Sequence, residues 1–117
     1  MNEETPSMVS FTIFGEPASK ANSRRWTGKF FIKSAKALSY VKAFEEQCPR
    51  LDELMDGDLR VTIKIYYASR RPDLDESLIL DCMQGYIYQN DRAIKERHVY
   101  WGLDKENPRA EITVEKL

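Results

Sequence analysis

The sequence is poor in the residues that build redox, zinc and membrane chemistry. Its two cysteines, Cys48 and Cys82, lie far apart without CxxC spacing, and neither has a histidine near it in the chain. A disulfide framework and a zinc cluster are therefore excluded as organising features, and both thiols are expected to be reduced and structural. Apolar stretches are short and broken by charges, which excludes a membrane span of about 20 residues. The acidic start Met1-Asn2-Glu3-Glu4 offers no apolar core for a secretory signal. The expectation is a cytoplasmic protein with no membrane partner and no small-molecule cofactor. Net charge is only −1 and the isoelectric point near 5.9, so the excess of base typical of an indiscriminate nucleic-acid binder is missing as well.

What is present suits one compact domain. The chain has 117 residues, 42% hydrophobic and 32% charged, enough apolar matter to build a core and too little length for two ordinary domains. Residues 1–7 read as a disordered tail and residues 8–117 as the domain. Charge is unevenly placed. Between Pro17 and Phe44 stand Lys20, Arg24, Arg25, Lys29, Lys33, Lys36 and Lys42 with no Asp or Glu among them, whereas residues 45–58 are dominated by acids. Screening limits the reach of a charge to about 10 Å at 0.1 M salt, so one face can attract phosphate although the whole chain is acidic.

Hydrophobic periodicity predicts the elements. Met8 to Phe14 alternates Val9, Phe11 and Ile13 with polar neighbours and ends at Gly15-Glu16-Pro17, the pattern of a half-buried strand. Arg24 to Ile32 has the composition of a tight hairpin about Thr27-Gly28. Ser34 stands at an N-cap position, and Ala37, Leu38, Val41 and Phe44 recur at helical spacing, predicting an amphipathic helix over 35–47. Its polar face is basic early and acidic late, against the helix dipole; chance explains that order, and so does a basic end kept for DNA. After the turn Asp56-Gly57-Asp58, Leu59 to Ala68 gives the clearest strand, with Leu59, Val61, Ile63, Ile65 and Tyr67 on one face. A short helix follows over 76–84, capped by Asp73 or Asp75 and stopped by Gly85, and then strands over Ile94–Trp101 and Arg109–Glu115. The order β-α-β-α-β-β predicts an α/β fold in which two helices pack on one mixed sheet.

The densest chemistry lies in Arg70-Arg71-Pro72-Asp73-Leu74-Asp75. In an extended segment residues i and i+2 point the same way about 7 Å apart, so Asp73 and Asp75 are expected to converge, as hard divalent cations require of oxygen ligands. The alternative is that both merely cap the following helix. Asp91 is a third acid where the chain returns, and Gln89-Asn90-Asp91 equally has ordinary turn composition. His98 falls in a strand pattern and reads as a structural or surface residue rather than a general base. Trp26, Tyr86, Tyr88, Tyr100 and Trp101 read as core or interface residues before they read as platforms for bases.

Asp73-Leu74-Asp75, a short helix, and then Gly85-x-x-Tyr88-x-Asn90-Asp91-Arg92-x-Ile94 together resemble the signature of the RusA family of Holliday junction resolvases. Gly15-x-Pro17-x-Ser19-Lys20-x-Asn22-Ser23-Arg24-Arg25 and Pro108-Arg109-Ala110-Glu111-Ile112 extend the resemblance over residues 9–115 or so. It implies a RusA-like fold and a metal-dependent endodeoxyribonuclease that cuts four-way junctions or other branched DNA as a homodimer, in recombination, repair or phage DNA processing. It also implies Asp73, Asp75 and Asp91 as ligands of Mg²⁺, with Mn²⁺ as an alternative. Two positions depart from the family pattern: Glu76 stands where Asn is usual, and Ile79 where a lysine is usual. Lys95 is the leading replacement for that cation, because residues 91, 93 and 95 share a face if the segment is extended; Arg71 and Lys20 follow. Lys20, Arg24, Arg25, Lys33, Lys36, Arg70 and Arg71 are the expected phosphate contacts. The rival expectation is a non-catalytic binder of branched DNA whose site has decayed.

Overall fold

The computed structural model describes residues 6–18, 24–26 and 31–117, with the strands at 24–26 and 31–33 described in backbone alone. The predicted tail therefore lies mostly outside the described residues, as do Lys20, Lys29 and the Thr27-Gly28 turn. Elements follow in the order β1 (Met8–Phe14), β2 (Arg24–Trp26), β3 (Phe31–Lys33), α1 (Ala35–Gln47), β4 (Leu59–Tyr67), α2 (Ser77–Met83), a 3-10 turn (Asp91–Ala93), β5 (Ile94–Leu103) and β6 (Arg109–Lys116). This is the expected small α/β domain with a mixed sheet and two helices. No helix among the described residues is long and apolar enough to cross a membrane.

The four-stranded sheet runs β1-β6-β4-β5, and β2 and β3 form a separate antiparallel pair. β4 and β5 are parallel, so the chain between them must cross over, and α2 lies in that crossover. β6 returns antiparallel to β4 on its other side and pairs β1 at the sheet's far edge. The β5–β6 connection closes over the end of β4: Asp104 N donates to Tyr67 O at 2.9 Å, and Arg109 grips the Asp104 carboxylate at 2.7 Å.

Strand alternation sets the core. Leu59, Val61, Ile63, Ile65 and Tyr67 of β4 are all buried, and Ile13, Ala110, Ile112 and Val114 continue the layer across β1 and β6. Ala37, Tyr40 and Phe44 of α1 and Leu78, Ile79, Leu80, Cys82 and Met83 of α2 cover it. A fully buried Ile or Leu side chain contributes roughly 1.5–3 kcal/mol, so this layer carries most of the drive to fold.

Two details depart from the sequence pattern. The buried stripe of α1 is Ala37, Tyr40 and Phe44, while Leu38 is 56% exposed. Tyr40 displaces Leu38 because its ring packs toward Phe44 at 6.0 Å; its hydroxyl finds no hydrogen-bond partner among the described residues. The N-cap of α2 is Glu76, without a side-chain cap bond, rather than Asp73 or Asp75. Asp75 still serves the helix, since its Oδ1 accepts from Ser77 N at 2.9 Å. At the other end Gly85 adopts φ +85°, a left-handed turn that favours glycine.

Candidate active site

Residues 68–76 leave the carboxyl end of β4 without regular structure, so something else must hold them. Side chains do so. Ala68 N donates to Glu16 Oε1 at 2.9 Å and Arg71 N to Ser69 Oγ at 3.3 Å. Trp101 Nε1 donates to Pro72 O at 3.3 Å, Tyr67 Oη donates to Asp73 O at 3.1 Å, and Asp75 N donates back to Tyr67 Oη at 3.2 Å. Asp73 is exposed and Asp75 half-buried, with Arg70 and Arg71 exposed beside them.

The Tyr67 phenol sits in acidic surroundings. Its pKa is raised first by burial and then by the charges of Asp75, Glu16 and Glu76, against a lowering contribution from the Asp75 backbone bond. It therefore stays protonated and keeps its donor for Asp73 O. Glu76, next in chain to Asp75, is paired with Arg97 Nη1 at 3.4 Å. This exposed arginine on β5 is the cation that meets the acidic segment. Glu16 uses its second oxygen on Lys36 Nζ at 3.4 Å, which anchors the start of α1, and so the basic part of the chain, to residue 68.

Asp91 lies elsewhere along the sheet. It opens the 3-10 turn before β5, and its N–H donates to Gln84 Oε1 at 3.1 Å, fixing it to the end of α2. Its neighbour Asn90 caps the turn through Arg92 N at 2.9 Å. Residues 91–93 are thus not extended, and the premise that 91, 93 and 95 share one face does not hold. β5 is also bulged: Leu59 pairs with Ile94 and Arg60 with Glu96, leaving Lys95 as the extra residue. Lys95 Nζ donates to Arg92 O at 3.0 Å, and its side chain lines a cleft of about 580 Å³ together with Asp56, Asp58, Asn90 and Arg92.

Asp73 and Asp75 stand on one irregular segment, and Asp91 lies at the far end of α2. Carboxylate oxygens suit a hard divalent cation in kind; among the described residues no group of three or more His, Cys, Asp or Glu side chains is arranged to hold one. Ile79, at the family's lysine position, is wholly buried and so cannot present a group to the site. Of the expected phosphate contacts, Lys36, Arg70 and Arg71 are exposed. Arg24, Arg25 and Lys33 have strand backbones with side chains outside the described residues, and Lys20 lies wholly outside them.

Sequence reasoning missed Glu16, Tyr67, Trp101 and Arg97 as parts of this site. Tyr67 gave the strongest signal, because a tyrosine at the last inward position of a strand buries its ring and carries a hydroxyl that must find a partner. His98 is exposed on β5 and bonds Glu96 Oε1 at 3.3 Å. Cys48 and Cys82 are buried thiols outside any disulfide, and burial pushes the Cys48 thiol up to about 12, which disfavours its thiolate.

Among the curated proteins compared, none matches the chain. The family model described as Endodeoxyribonuclease RusA matches residues 15–115, nearly the whole of it. That span contains β4, β5 and nearly all of β6, both helices, the tyrosine-anchored acidic segment and Asp91, with β1 just before it, and the chain belongs to the RusA endodeoxyribonuclease family.

Proposed function

We propose that the protein is a divalent-metal-dependent endonuclease that cuts four-way junctions or related branched DNA as a homodimer, using the carboxylates of Asp73, Asp75 and Asp91. The observation that carries this reading is the anchored segment Pro72–Asp75, which presents two acids beside Arg70 and Arg71 in a chain of an endodeoxyribonuclease family. By resemblance to the family, Asp73, Asp75 and Asp91 would hold Mg²⁺ or Mn²⁺; the first two share the anchored segment, and Asp91 stands at the far end of α2. When bound, such a cation lowers the pKa of an attacking water and offsets charge on the phosphate. The protein's own part is placement. Arg70, Arg71 and Lys36, with Lys20, Arg24, Arg25 and Lys33, bind phosphates and set the register of the strand, as backbone contacts do without reading bases. Asp73 and Asp75 then meet the phosphate that those cations deliver. A junction with two equivalent scissile strands needs two equivalent sites, which a twofold dimer supplies.

A second reading, a non-catalytic binder of branched DNA, is favoured by two observations: Ile79 is buried, and Glu76 is occupied by Arg97. One experiment separates the two. Purified protein is incubated with a synthetic four-way junction and with linear duplex, with and without Mg²⁺. Paired cuts in the junction that need Mg²⁺ support the endonuclease; tight junction binding with no cut under Mg²⁺ or Mn²⁺ supports the binder. Sedimentation at the same concentration should give a species near twice 13.7 kDa.

A further inference from the structure

We propose that Tyr67 and Trp101 are positioning residues of the cleavage site, a stacked aromatic pair rooted in adjacent parallel strands that fixes the acidic segment by its backbone. The inference rests on the reading of Asp73 and Asp75 as cleavage carboxylates.

Three hydrogen bonds fall on four consecutive residues. Trp101 Nε1 takes the carbonyl of Pro72, Tyr67 Oη takes the carbonyl of Asp73, and the N–H of Asp75 returns to the same Oη. One phenol thus spans the Asp-Leu-Asp step, as donor at one end and acceptor at the other, which phenylalanine cannot do. The pair is itself rigid. Tyr67 is 2% exposed, the two rings stack at 6.0 Å with planes 26° apart, and their strands are locked in register, with Ile65 facing Trp101 and Tyr67 facing Leu103.

A segment without regular structure that carries two like charges would otherwise spread, because like charges in one turn repel and exposed backbone costs little to move. Catalytic groups must be held to within about 0.5 Å, and a misplacement of about 1 Å costs on the order of 10²-fold in rate. The aromatic pair supplies that precision without touching substrate. The restraint acts on the backbone of the segment.

The test uses Tyr67→Phe and Trp101→Phe, which keep the rings and remove the polar atoms, beside Ile112→Val as a core variant of comparable stability cost. Amide exchange is read first, in the metal-free protein. Tyr67→Phe should speed exchange of the Asp75 amide at least tenfold relative to the Ala68 amide, which Glu16 holds; Ile112→Val should not. Single-turnover cleavage of a four-way junction is read next. Tyr67→Phe should slow cleavage about 10- to 100-fold at saturating Mg²⁺ and raise the Mg²⁺ midpoint, with junction affinity within twofold of wild type. Trp101→Phe should move the same readouts in the same direction, and it stands in should Tyr67→Phe fail to fold. An unchanged Asp75 amide overturns the anchoring. A released amide with cleavage and Mg²⁺ midpoint both within twofold of wild type overturns the positioning role. Asp75→Asn runs in parallel: full cleavage by that variant removes the underlying reading instead, so the two failures are distinguishable.

Discussion

Asp75→Asn separates the service Asp75 gives to a helix from the one it gives to cleavage. The carboxylate accepts from Ser77 N at 2.9 Å at the start of α2. Bonds to a charged acceptor contribute roughly 1.5–3 kcal/mol and neutral ones roughly 0.5–1.5. Asparagine keeps an oxygen in place, so the stability lost is the difference, about 1 kcal/mol, or about 3–6 °C in Tm for a domain of this size. Removing a preorganised charge from a reacting centre costs on the order of 10²–10³ in rate, about 2.7–4 kcal/mol. Asp75→Ala sharpens the contrast: it loses the bond entirely, at roughly 1.5–3 kcal/mol, yet should cleave no worse than Asn. Single-turnover cleavage of an end-labelled junction under excess protein, well below either Tm, reads the rate, and thermal melts read the stability. A purely structural Asp75 gives a different ranking, with Asn near wild type and only Ala impaired. Cleavage by Asp75→Asn within threefold of wild type refutes the catalytic assignment.

Three further outcomes are expected. Neutralising Arg24 and Arg25 together should lower junction affinity and reduce the log–log salt slope by about 1–2 units; an unchanged slope removes both from the phosphate path. Lys95→Ala should cleave within twofold of wild type, because its ammonium is committed to Arg92 O, whereas Arg97→Ala, which strips the cation from Glu76, should alter the rate more than fivefold; the reverse ranking in a single-turnover assay would restore Lys95 as the active-site cation. Tyr40→Phe should be neutral or stabilising by up to about 1–3 kcal/mol, since it deletes a buried hydroxyl without a partner among the described residues; denaturant melts that show a clear loss of stability refute that bookkeeping.

Local pattern carried the elements and failed where packing between distant residues decides. The alternation of Val9, Phe11 and Ile13 marks β1 at Met8–Phe14, and Ser34 with helical spacing marks α1 at Ala35–Gln47, both as observed. The choice of Tyr40 over Leu38 for the core depends on what α1 meets, which spacing along the helix does not contain. β5 runs on to Leu103 because its backbone keeps pairing with Tyr66 and Tyr67 of β4, and Gly102 lies beneath the Tyr66 ring, where a Cβ would approach to 2.8 Å. The acids of the site were legible as residues, while their setting was not. Trp101 reaches Pro72 across 29 residues and Glu16 reaches Ala68 across 52, and nothing local announces either bond. Lys95 leads Arg71 and Lys20 only if the strand is unbroken, a premise which the bulge at Lys95 and the 3-10 turn before it remove.

Glu16 links the start of α1 to the root of the segment that carries the proposed cleavage acids. One of its oxygens holds Ala68 N at the root of the acidic segment, and the other pairs with Lys36 at the start of α1, just after β3. The first bond is to backbone and, on the proposed reading, would stay when DNA arrives. The second is a solvent-exposed ion pair, worth about 0–1 kcal/mol, so a phosphate can draw Lys36 away at little cost. On the proposed reading, binding by the basic segment would leave the anchor of residue 68 intact. Affinity and placement would then be divided between different residues: cations from Lys20 to Lys36 would set how strongly DNA is held, while Glu16, Tyr67 and Trp101 would set where the carboxylates stand when it is.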